Sequence, residues 1–118
     1  MSRMIYNYWL ARQGDLHHFQ VISVEQMKLN DDPNYLRACV KCLESRQMFH
    51  TVTKDYSCKA FKTIAYFSWW KDRVGEVVHV LPEVAAFDNI SGQCSVSFQI
   101  VELDKSLTFN YGEGEYND

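Results

Sequence analysis

Between Cys94 and Tyr111 the chain alternates in a way that few structures satisfy. Cys94, Val96, Phe98 and Ile100 interleave with Ser95, Ser97 and Gln99, and Leu103-Asp104-Lys105-Ser106 reverses the chain. Leu107, Phe109 and Tyr111 then alternate with Thr108 and Asn110. A period of two places one set on a buried face and the other in water, so an antiparallel hairpin is predicted. Whatever else folds must cover its apolar face.

A second hairpin is predicted at the N-terminus. Met4 to Ala11 and Leu16 to Val24 are rich in aromatic and β-branched residues and flank Gln13-Gly14-Asp15, a turn signal. Asn30-Asp31-Asp32-Pro33 reads as a helix start, with Asp as N-cap and Pro at the first helical position. Leu36, Cys39, Val40 and Leu43 follow at helical spacing, with Arg37, Lys41, Glu44 and Ser45 on the other faces. Phe49 to Thr53 reads as an extended link, and Asp55 to Arg73 fits helix or strand, helix being preferred for its first half. Gly75 breaks that pattern, Val77 to Leu81 reads as a strand ended by Pro82, and Glu83 to Phe87 as a helical turn. No internal repeat is read. The expected fold is α+β: one domain over residues 1–118, a mostly antiparallel sheet with N- and C-terminal hairpins and one or two helices on one face. Residues 111–118 are expected to form a flexible acidic tail.

Composition narrows function. The 118 residues are 47% hydrophobic and 23% charged, which excludes disordered and collagen-like classes. No apolar run reaches the roughly 20 residues of a membrane helix, and no secretory leader is read, so a cytoplasmic protein is expected. Net charge is −3, but it is segregated. Residues 28–73 hold nine basic and five acidic side chains, whereas residues 74–118 hold Lys105 against eight acids. A face of one sign steers an oppositely charged partner.

Candidate sites follow from residue types. Cys39-Val40-Lys41-Cys42 has the spacing of thiolates that share a zinc ion, with His50 and Cys58 as further donors, although both cysteines fall on the stripe of the predicted helix. Buried structural cysteine is the preferred reading, so no metal or other cofactor is expected. His17 and His18 point to opposite sheet faces, and His79 has no carboxylate near it in sequence. No catalytic motif occurs, which favours a protein that acts by binding. Tyr66, Trp69, Trp70 and Arg73, with Lys59 and Lys62, form an aromatic-basic stripe if helical. Such a stripe suits stacking and phosphate contact or an acidic protein surface. Glu102, Asp104, Glu113, Glu115 and Asp118 offer carboxylates that can imitate a phosphate backbone. The expectation is a small non-enzymatic inhibitor or immunity-type protein that blocks a larger, basic, nucleic-acid-binding target. A nucleic-acid-binding module and a small zinc or thiol protein are the alternatives. The strand Ser106 to Tyr111, read as an open edge, would also permit a homodimer.

Overall fold

A strand buries alternate side chains, and six segments of this chain do so around a single core. The structure, a computed structural model, describes residues 2–54 and 69–114. Helix α1 (Ser2–Leu10) precedes β1 (His17–Leu29), β2 (Asp32–Cys42), β3 (Met48–Lys54), β4 (Val77–Phe87), β5 (Cys94–Ile100) and β6 (Lys105–Tyr111). All neighbours are antiparallel, and the order β1-β2-β3-β6-β5-β4 closes into a barrel as β1 pairs with β4. Phe19, Val21, Val40, Phe49, Val80, Val96, Phe98 and Phe109 fill its interior.

The expected α+β architecture is therefore corrected: most of the described chain is strand, curled into a closed barrel, and among the described residues no layer of helices lies on a sheet. The C-terminal hairpin forms as predicted, with Val96 opposite Phe109 and Phe98 opposite Leu107. The predicted helix from Asn30 is strand β2. Asn30 and Asp31 both take positive φ (51° and 64°), so they form a two-residue hairpin turn and not an N-cap. Leu36, Ala38, Val40 and Cys42 then alternate into the interior. Cys39 completed a false helical stripe because it is buried from the opposite side of the strand, under residues 112–114. Met4 to Leu10 is helical where a strand over Met4 to Ala11 was expected; Ile5 and Trp9, one turn apart, both face the core. Glu83–Phe87 continues β4 past Pro82, which sits beside a bulge opposite Phe98. The edge read as open is enclosed, since β6 lies between β5 and β3. Of the expected helix at 55–73, residues 69–71 are helical and 55–68 lie outside the described residues.

The barrel also carries an internal repeat that the sequence reading missed. A constant 61 residues separates Trp9 from Trp70, Arg12 from Arg73, Gly14 from Gly75 and His18 from His79. Each arginine donates to the carbonyl four residues before it, at 2.9 Å (Arg12 to Tyr8, Arg73 to Trp69), and lies over that residue's ring. Gly14 and Gly75, both at positive φ, donate to Pro82 O and Val21 O, each at 2.8 Å. Those two acceptors are themselves equivalent, and each strand bulges at the same place, between Val21 and Ser23 and between Pro82 and Val84. The barrel is thus two copies of one unit, β1-β2-β3 and β4-β5-β6, related by an approximate two-fold axis. Trp9 and Trp70 are the matching plugs of its interior.

Candidate functional site: a histidine pair on the two-fold axis

The axis passes between β1 and β4, where His18 stands opposite His79. The carbonyl of His18 accepts from Leu43 N–H and that of His79 from Val101 N–H, both at 2.9 Å, on their far sides. The two histidines therefore form a non-hydrogen-bonded cross-strand pair, the kind in which side chains stand closest. Their rings are 4.9 Å apart, centroid to centroid, inclined at 63°.

Each histidine is held by a carboxylate from an equivalent turn. After β2 the turn runs Leu43-Glu44-Ser45-Arg46, and after β5 it runs Val101-Glu102-Leu103-Asp104. Arg46 (φ 65°) and Asp104 (φ 55°) both adopt the left-handed conformation and return their N–H groups to Cys42 O (2.9 Å) and Ile100 O (2.8 Å). Glu44 then accepts from His18 backbone N–H at 2.8 Å, and its other oxygen lies 2.5 Å from His18 Nδ1. Glu102 accepts from His79 N–H at 2.7 Å and lies 3.0 Å from His79 Nδ1. Burial works against the Glu44 carboxylate, but the donors of His18 outweigh it and hold the carboxyl below its usual range. Each carboxylate thereby sets its imidazole as an Nδ1–H donor, which makes Nε2 the nitrogen that carries the lone pair in the neutral ring. Side-chain exposures of 35% and 48% keep His18 and His79 open to solvent, with exposed Leu43, Val77 and Val101 beside them.

A second polar cluster lies under a strap. Gly112 N–H bonds Met48 O at 2.7 Å, and His50 Nδ1 donates to Gly112 O at 2.7 Å. Cys39 Sγ donates to Glu113 O at 3.5 Å, and Arg37 donates to Gly114 O. Burial pulls the His50 imidazole below its ordinary value near 6.5, opposed by its bond to Gly112 and aided by Arg37, and burial pushes the Cys39 thiol up. Both groups are thus neutral at pH 7, which is not the charge state of a thiolate-imidazolium catalytic pair. A depressed histidine value makes the unfolded chain bind the extra proton. Stability from this cluster is therefore full above pH ~6.5 and is lost as pH falls from there through the folded value. Urea midpoints at pH 8, 6.5 and 5.5 should fall in that order, and His50→Phe should flatten the upper part of the decline.

The sequence-derived site residues divide among several places. Glu102 is the carboxylate of His79, and Asp104 is exposed in the same turn. Glu113 is exposed on the strap, while Glu115 and Asp118 lie outside the described residues, as does Tyr66. Trp70 is buried in the core and Trp69 is half-buried against it, edge-on at 4.9 Å, with Arg73 over its face at 4.2 Å. An open stacking stripe is therefore not formed by these three. Cys39 and Cys42 occupy opposite faces of β2, as an odd spacing on a strand requires, so they do not converge on one ion. Among the described residues no three His, Cys, Asp or Glu side chains gather as metal ligands. The His18–His79 pair escaped the sequence reading because its parts are 61 residues apart and His79 meets its carboxylate 23 residues away. The repeated Trp-x-x-Arg-x-Gly-acid segment was the legible signal. No described helix is long and apolar enough to cross a membrane. Comparison with protein-family models, curated proteins and solved structures finds no match.

Proposed function

We propose that this protein is a non-enzymatic interaction module that binds a larger protein with a basic surface, as an inhibitor or immunity-type blocker would. The observation that supports this is spatial. β4, β5 and β6 are consecutive in the barrel, so the acids that these strands and their turns carry share one wall after folding. Glu76, Glu83, Glu102 and Asp104 are all exposed along it or at its ends, with Lys105 as the basic residue of the same strands, and Glu113 is exposed on the strap that leads from β6 across β3 to β2. Such a wall raises the encounter rate with a cationic partner and its sensitivity to salt. The buried thiols of Cys39, Cys42 and Cys94, none of them in a disulfide, suit the reducing conditions of the cytoplasm.

The test is affinity capture from lysate with the wild-type protein and with Glu76→Lys/Glu83→Lys/Glu113→Lys. The expected result is a basic protein that the wild type retains at low salt, and for which the triple variant loses tenfold or more in association rate. The wild-type interaction should also weaken as the screening length falls from about 10 Å at 0.1 M salt toward about 3 Å at 1 M. Partners held equally by both proteins, or nucleic acid recovered in place of a basic protein, would overturn the reading.

A further inference from the structure

We propose that His18 and His79 form a two-imidazole site for a divalent late-transition-metal ion of the Zn²⁺, Ni²⁺ or Cu²⁺ class, with solvent or a partner's donor completing the coordination. Three features carry this, and of the acidic wall only Glu102 enters them.

Spacing comes first. Imidazole nitrogens bind zinc at about 2.0–2.1 Å, which places each ring centroid about 3.2 Å from the ion. Two rings on one ion at bond angles of about 90–109° then lie about 4.5–5.2 Å apart, centroid to centroid. The observed separation is 4.9 Å. Ring orientation comes second. Glu44 and Glu102 take the two Nδ1 edges on opposite flanks of the pair, in a row Glu44, His18, His79, Glu102. The two nitrogens of an imidazole diverge widely, so the Nε2 lone pairs are left for the middle of the row. A carboxylate on the second nitrogen is also the usual outer-shell support of a metal-bound histidine, fixing its tautomer and raising its basicity. Access comes third. The chain has four histidines; His17 and His50 are buried, with His17 Nε2 3.3 Å from Tyr8 Oη, whereas His18 and His79 are open to solvent. Imidazole donors favour the later first-row ions over Mg²⁺ and Ca²⁺, which take oxygen.

Histidines 61 residues apart meet here because the axis carries one from each copy of the repeat, so the site exists only where both copies are folded together.

The experiment is titration of the full chain with ZnSO₄ by calorimetry and with CuSO₄ by electron paramagnetic resonance, in a buffer that does not chelate. Expected are one ion per chain and a copper spectrum with hyperfine structure from two nitrogens. His18→Asn and His79→Asn should each weaken binding at least tenfold. Glu102→Gln, a positioning change, should weaken it several-fold while leaving both nitrogens in the spectrum. Far-ultraviolet circular dichroism of each variant separates loss of the site from loss of the fold, and the nitrogen count of the wild type is decisive without any variant. Absence of saturable one-to-one binding, a spectrum with fewer than two nitrogens, or binding unchanged in folded His18→Asn and His79→Asn would overturn the proposal. The charge-reversed Glu76/Glu83/Glu113 variant should bind metal normally, so failure of the acidic-wall reading and failure of this one are told apart.

Discussion

Truncating Trp70 to Ala should cost about 3–5 kcal/mol of stability, and Trp9→Ala about as much, because each removes a buried indole and leaves a cavity. Both side chains are almost wholly enclosed: Trp9 lies 5.0 Å from Phe98 and 5.8 Å from Phe49, ring to ring, and Trp70 lies 6.1 Å from Phe109. The repeat makes the comparison sharper when only the polar atom is removed. Trp9 Nε1 donates to Gln47 Oε1 at 2.8 Å, whereas the buried Trp70 Nε1 has no hydrogen-bond partner among the described residues. Lys105 stands where the second copy would need the equivalent of Gln47, and an ammonium cannot accept. Trp9→Phe should therefore be more damaging than Trp70→Phe by about 1 kcal/mol, since only the first breaks a bond and orphans an amide. Urea denaturation of the four variants checks this; equal losses for the two Phe variants would contradict it.

Gly114→Ala should lift the strap. The residue has φ +72°, and a methyl group there would lie 2.6 Å from His50 Nε2 and 2.8 Å from its Cδ2. His50 has little room to yield, because it is buried and its Nδ1 is bonded to Gly112 O. The left-handed conformation alone costs a residue with a Cβ about 1–2 kcal/mol, and the overlap adds to it. Released residues 112–114 would uncover Cys39, whose Sγ is capped by Glu113 O, while Cys42 and Cys94 stay inside the barrel. Labelling with a thiol reagent followed by peptide mapping should find Cys39 modified much faster in Gly114→Ala than in the wild type. An unchanged rate at Cys39 would show that the strap yields some other way.

The parts of the fold legible in the sequence are those with one clean period and no competing burial. β5 and β6 are read correctly because Cys94, Val96, Phe98 and Ile100 on one side of the turn, and Leu107 and Phe109 on the other, all pack toward the core. β2 was misread because it is covered on both faces: Cys39 is hidden by the strap and Leu36, Ala38, Val40 and Cys42 by the core, and two interleaved period-two patterns imitate a helical stripe. The N-terminal helix was misread because its aromatic residues, Tyr6, Tyr8 and Trp9, suit strands by propensity, while the one-turn spacing of Ile5 and Trp9 decides the packing. Composition marked the acidic third, and its residence on three adjacent strands follows from topology alone. The histidine pair is a contact between copies of the repeat, so neither histidine has a neighbour in sequence that announces it.

The seams between the two copies are short compared with the pairing inside them. β1 meets β4 over four residue pairs and β3 meets β6 over two, whereas β2 pairs with β3 over seven. Within each copy the connections are local turns, but the seams join residues some sixty positions apart, such as His18 with His79 and His50 with Asn110. Loop-closure entropy makes such contacts the slow ones to form. The expected order of assembly is that strands pair first within each three-stranded unit, and the two sheets then join along their edges as the slower step.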